Sequence, residues 1–161
     1  TSLGIVQNMF VGTFDGNSHT ISNLIVEGTE NVGLFGFVTG TIKNLTISNA
    51  NVLGYKSVAA IAGNLYGTVE SCKVLNSTIV AEIYDDELDG DNVAAIAGFC
   101  GENGVTITDC KVENCSIVSN PVKDAAVVAG SVFSGKYTFS DITLTNNKIN
   151  GVISDKICNE K

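Results

Sequence analysis

Carboxylates are the residues of this chain whose type and spacing come closest to chemistry. In the stretch Glu-Ile-Tyr-Asp-Asp-Glu-Leu-Asp-Gly-Asp at 82–91, acidic side chains recur at Asp85, Glu87, Asp89 and Asp91, with Gly90 after the third. Alternating carboxylates that run into a glycine partly imitate a calcium loop, in which ligands come from alternate positions around a sharp turn. Counted from Asp85, the twelfth position is Ile96, where such a loop needs a bidentate Glu. The stretch reads first as a solvated acidic loop and second as a weak Ca2+ or partner-binding loop; no cofactor is expected. A second pair, Asp109 and Asp141, aligns with Asn44 and Ser71 of other repeats. Carboxylates on neighbouring coils suit glycoside cleavage, since retaining hydrolases hold them about 5–5.5 Å apart. Against that reading, the Tyr and Phe residues are scattered along the chain and no basic cluster suits a lyase.

Other reactive types are sparse. His19 is the one histidine and lies beside a turn, where a structural hydrogen bond is the expected role. Five cysteines cannot all pair. Cys72 and Cys110 align with Leu45 and Ile142, Cys100 with Val38, Leu65 and Val132, and Cys115 with Ala50 and Ser77. They are expected to be small core residues, although Cys72 and Cys110 fall on adjacent coils and a disulfide between them is conceivable. No CxxC pair or His cluster suggests a metal. Asn44, Asn76 and Asn114 each begin an N-glycosylation pattern; two of them belong to a proposed inward ladder, so the matches read as accidental.

The elements that would position these groups are repeats. VAAIAG occurs at 58–63 and again at 93–98, with degenerate copies ending at Gly36 and Gly130. A second block follows each copy: IKNLTISNANV (42–52), VESCKVLNSTI (69–79), ITDCKVENCSI (107–117) and FSDITLTNNKI (139–149). Repetition of this kind marks a stack of supersecondary units. Anchors set at Leu24, Leu45, Cys72, Cys110 and Ile142 give spacings of 21, 27, 38 and 32. Eight extra residues sit within 80–92 and three more around 101–104, as stacked coils tolerate. Within each block apolar and polar residues alternate, which predicts strands with one buried face.

Four residues after the anchors stand Asn49, Asn76, Asn114 and Asn146, and the next apolar residue comes one place late for strict alternation. A bend restores the phase, and Asn tolerates a left-handed backbone. Equivalent amides about 4.8 Å apart can hydrogen-bond from coil to coil. The architecture expected is therefore all-β: a right-handed parallel β-helix of about five coils with an asparagine ladder, forming one domain over 1–161. In the AIAG blocks, alanine and glycine allow close approach of the wall to its neighbour.

Composition bounds the function. Hydrophobic content of 44% with 16% charge fits a packed protein. The net charge of −8 argues against nucleic acid and against anionic lipid. No apolar run approaches the roughly 20 residues of a membrane helix.

GTFDGNSHTISNL, NVGLFG and the GTIKNL step at 12–45 resemble the GLUG repeat family, named for its Gly-Leu-any-Gly core. Ser18 and the alanines at 60 and 95 depart from its usual glycines. Such repeats occur in bacterial surface and adhesin-like proteins and in the non-catalytic N-terminal region of immunoglobulin A1-cleaving metallopeptidases. The resemblance implies β-helical coils on a bacterial surface and carries no catalytic residue over. The function expected is a non-catalytic, extracellular piece of a larger surface protein, a rigid stalk or adhesin-like surface for host protein or glycan. Flanking domains of the parent protein, or an end-to-end dimer, would cover its ends. The alternative is a polysaccharide hydrolase or lyase using surface Asp residues.

Overall fold

In a computed structural model of the chain, residues 9–82, 92–119 and 124–161 are described. They form a parallel β-solenoid of five coils whose short strands stack into four long walls. Wall I contains Thr13–Asp15, Thr41–Lys43, Thr68–Glu70, Val105–Thr108 and Tyr137–Ser140. Wall II contains Thr20–Ser22, Thr46–Ser48, Lys73–Leu75, Lys111–Glu113 and Thr143–Thr145. Wall III contains Ile25–Glu27, Asn51–Gly54, Thr78–Ala81, Ser116–Ser119 and Lys148–Ile149. Wall IV contains Met9–Phe10, Phe35–Val38, Ala62–Leu65, Ala97–Cys100, Ala129–Val132 and Cys158–Glu160. A narrow seam, Glu30–Val32 beside Lys56–Val58, closes the section and continues as single bridges through Val93 to Ala125.

Alternation in the repeat blocks becomes columns of like residues. Ile42, Val69 and Ile107 line wall I; Ile47, Val74 and Val112 line wall II; Val52, Ile79 and Ile117 line wall III. All nine are fully buried. At roughly 1.5–3 kcal/mol for each fully buried aliphatic side chain, these columns dominate the stabilisation. The AIAG copies pair as expected, Ala62 with Ala97 and Ala97 with Ala129. No helix long and apolar enough to cross a membrane occurs among the described residues.

The register corrects the first anchor. Ile21, Ile47, Val74, Val112 and Leu144 stack, so the coils are 26, 27, 38 and 32 residues apart. His19, not Leu24, stands in the Leu45 column, and Leu24 falls in the Ala50 column. The cause is a misleading echo: SNL at 22–24 matches KNL at 43–45, while TISNLIVEG at 20–28 truly corresponds to TISNANVLG at 46–54. The two insertions lie where expected. Gly54 pairs with Ala81 and Val58 with Val93, which puts eight extra residues between them. Leu65 pairs with Cys100 and Thr68 with Thr106, which places the other three.

One departure from parallel order occurs in the last coil. After Lys148–Ile149 the chain reverses through Asn150 and Gly151, whose φ angles are 49° and 80°. Two consecutive left-handed residues fit a two-residue hairpin, and Val152–Ile153 pairs antiparallel on the wall III edge.

Candidate functional site

Two columns of left-handed residues turn the corners of the coil. Between walls II and III stand Asn23, Asn49, Asn76, Asn114 and Asn146, with φ between 51° and 58°. Between walls I and II stand Asn44, Ser71, Asp109 and Asp141, with φ between 50° and 53°. Asn and Asp reach this conformation with the least steric penalty after glycine, which explains their recurrence.

The asparagine ladder exists but faces outward. Asn114 Nδ2 donates to Asn76 Oδ1 at 3.3 Å, and Asn146 Nδ2 donates to Asn114 Oδ1 at 2.8 Å. Asn49 keeps the corner through its backbone, its N–H donating to the Leu75 carbonyl at 3.0 Å. All four side chains are exposed. The inward residue is the next one: Ala50, Ser77, Cys115 and Asn147 are buried. Apart from Ala50, these side chains hydrogen-bond backbone groups at the bend. Ser77 Oγ accepts from the Ala50 N–H at 3.0 Å and donates to the Leu75 carbonyl at 2.8 Å. Asn147 Oδ1 accepts from the Cys115 N–H at 3.0 Å, while its Nδ2 donates to the Val112 carbonyl at 2.9 Å. Asn147 was visible only as the second letter of an Asn-Asn pair. Because Asn76 and Asn114 point outward, burial is no reason to set their glycosylation patterns aside.

Asn114→Ala is expected to lose about 1–2 kcal/mol for the left-handed backbone, with a further contribution from two amide hydrogen bonds. Asn114→Gly should recover the backbone part. Thermal melts of the three proteins test this, and equal losses for Ala and Gly would contradict it.

Asp109 and Asp141 have backbone work as corner residues, and Asp109 Oδ2 also accepts from Ser71 Oγ at 2.8 Å. In the first two coils the same corner joins Asn44 Nδ2 to Asp15 Oδ1 at 3.0 Å. That bond, then the Asn17 N–H and nearby Lys43, holds the Asp15 carboxyl below its usual range. His19 Nδ1 lies 3.0 Å from the Gly16 carbonyl and donates to it, the structural role expected. Asp85, Glu87, Asp89 and Asp91 lie outside the described residues. Among the described residues no group of three or more His, Cys, Asp or Glu could hold a metal ion.

The five cysteines are free thiols, and the Cys72–Cys110 pair is not bridged. Cys72, Cys100, Cys110 and Cys115 are buried, each in the core column expected. Cys72 and Cys110 Sγ each donate to the carbonyl two residues back, both at 3.2 Å. Burial pushes the Cys72 and Cys115 thiols up to about 11 and Cys110 to about 12.

Aromatic residues scattered in the sequence line up in space. Phe37 and Tyr66 stack with centroids 4.8 Å apart and planes 13° from parallel; Phe99 follows Tyr66 at 6.4 Å, and Phe133 follows Phe99 at 5.7 Å. The stacked pair turns ring faces toward each other, not toward a flat ligand. Beside the ridge, Glu102, Thr106, Lys136, Tyr137 and Thr138 line a shallow polar cleft of about 510 Å3. Tyr137 donates its hydroxyl to the Glu160 carboxylate, tying this rim to the last strand.

No protein-family profile matches the chain. A stretch of 66 residues is 46% identical to halomucin from Haloquadratum walsbyi, covering 38% of this chain and 1% of that protein. Among solved structures, a Bacteroides ovatus protein described as a candidate immunoglobulin A1 protease superposes with a TM-score of 0.49 at 15% identity. That superposition covers 88% of this chain and 63% of the other. This chain is thus a β-solenoid similar in part to a segment of one very long protein.

Proposed function

We propose that the chain is a non-catalytic GLUG-type repeat module of a bacterial surface protein. It acts as a rigid extracellular stalk whose flanks contact host protein or glycan. The observation that supports this reading is the parallel, in-register pairing of the four walls through the middle coils around a continuous aliphatic core. Such a stack resists bending because each coil is hydrogen-bonded to both neighbours. Its outward positions are free to vary, and they carry polar side chains, the aromatic ridge and the polar cleft. At the ends, flanking domains or a second copy continue the stack.

The test is a binding screen of the intact chain against host glycans and extracellular proteins, with reducing ends and unsaturated products measured in the same wells. Saturable binding without product release is the expected result. Turnover that disappears in Asp109→Asn or Asp141→Asn would replace this reading with a carbohydrate-active enzyme.

A further inference from the structure

Large exposed apolar side chains among the described residues are confined to the two ends of the stack. Met9 (54% exposed), Val11 (71%) and Ile25 (72%) belong to the first coil. Val152 (70%), Ile153 (70%) and Ile157 (42%) belong to the last. The described residues on the flanks of the middle coils include none. Apolar surface gathered at particular places marks contact sites, and here those places are also where strands lack partners among the described residues. Thr13–Asp15, Thr20–Ser22 and Ile25–Glu27 are edge strands at one end. At the other end the edges are Tyr137–Ser140, Thr143–Thr145, Val152–Ile153 and Cys158–Glu160. A row of unpaired N–H and C=O groups selects another β-edge as its partner.

The two ends match on three of the four walls. On wall III, Ile25 and Ile153 stand at opposite ends of one outward column whose members between them, Asn51, Thr78, Ser116 and Lys148, are polar, and exposed Val152 extends the inward column past Ile149. On wall IV, Met9 is in the first strand and Ile157 immediately precedes the last. On wall I, the core column ends in half-buried phenylalanines at both extremes, Phe14 and Phe139, with smaller aliphatics between. We propose that the last coil of one copy docks on the first coil of a second copy, head to tail, placing Val152 and Ile153 against Ile25. Such a contact is heterologous, so it propagates into an open linear array. Two like ends brought together would set Ile25 against Ile25 and leave the hairpin bare. This inference rests on the end-contact part of the proposed function and not on its ligand, so its failure leaves the binding screen untouched.

Sedimentation velocity on the intact chain, from micromolar to millimolar concentration, tests the proposal. The wild-type chain should grow into progressively longer species. Ile25→Lys alone, and the double variant Val152→Lys with Ile153→Lys alone, should each stay monomeric, with circular dichroism confirming that both are folded. An equimolar mixture of the two variants should reach a dimer and stop, because one supplies an intact first coil and the other an intact last coil. A wild-type chain that stays monomeric throughout overturns the proposal. So does dimerisation of either variant alone, which would show like ends pairing, or the absence of a dimer in the mixture.

Discussion

Replacing Gly98 with alanine is expected to cost about 3 kcal/mol or more, the upper part of the range for overpacking a core. A methyl group there would lie 2.5 Å from both the Ser57 carbonyl carbon and the Val58 nitrogen, and 2.8 Å from the Gly63 carbonyl oxygen. All three are backbone atoms of the preceding coil, so no side chain can swing aside. The strand Ala97–Cys100 is pinned by pairing on both edges and cannot retreat either. Position 98 lies in the fourth of the six wall IV strands, so a displaced strand interrupts the stack near its centre. The remaining fragments have too few coils to stand alone, because such stacks need about three repeats for stability. Loss should therefore be global, lowering Tm by roughly 10 °C in a chain of this size. Gly104 supplies the control: a methyl group there meets nothing within 4 Å, and only its φ of 84° penalises alanine. Thermal melts of both variants decide the matter. Equal losses would show that the close approach of Gly98 to the seam does not constrain the fold.

That close approach was legible as a repeated letter. Glycine closes each AIAG copy because the wall meets the seam of the preceding coil backbone to backbone. The period-two columns and both insertions could likewise be read directly, since a parallel coil puts equivalent residues of successive repeats side by side. What could not be read was direction. At a bend, alternation is broken, and nothing in the letters says whether Asn76 or Ser77 turns inward. The buried position tolerates Ala, Ser, Cys and Asn alike, so it carries no hydrophobic signature, whereas the exposed one is always Asn, which accepts the left-handed corner and bonds the next amide in the column. A steric requirement of the backbone thus resembled a hydrogen-bonding requirement of the core. The first coil was misphased because a three-residue echo was weighted above the longer TISN correspondence.

The site was less legible than the fold for a related reason. Phe37, Tyr66, Phe99 and Phe133 share no fixed spacing, since Phe37 and Phe99 stand in the column of Asn64 while Tyr66 and Phe133 stand two residues further on, and only the stacked coils bring them into one ridge. Asp109 and Asp141 stand out in the sequence as carboxylates, but their position is shared with Asn44 and Ser71. The property common to all four is tolerance of a left-handed corner, not ionisation. The exposed apolar residues at the ends look ordinary as letters: Ile25 occupies the outward column that Asn51, Thr78, Ser116 and Lys148 fill in the other coils, and only the register shows that it faces solvent.

The buried thiols predict a steep loss of stability in alkali. An unfolded cysteine titrates at about 8.5, whereas burial raises Cys72 and Cys115 to about 11 and Cys110 to about 12. Each folded-state pKa lies above its unfolded value, so below about pH 8 both states are protonated and the contribution is fully present. As pH rises past 8.5, the unfolded chain releases protons that the folded chain retains, and unfolding is favoured progressively until the folded thiols also ionise near 11–12. Each unit of pKa difference corresponds to about 1.4 kcal/mol, so the three thiols together withdraw several kcal/mol between pH 8 and 11. That is on the order of the whole stability of a domain. The measurement is the urea midpoint from pH 7 to 11 under reducing conditions. The comparison protein carries Cys72→Val, Cys110→Val and Cys115→Ser, choices guided by Leu45 and Ile142 in the column that Cys72 and Cys110 share and by Ser77 in the column of Cys115. Lysine and tyrosine titrations act on both proteins alike, so the difference between the curves isolates the thiols. The wild-type midpoint should fall steeply above pH 9 while the variant declines gently. Parallel curves would mean that these cysteines are not held protonated by the core, and the burial assigned to their columns would have to be abandoned.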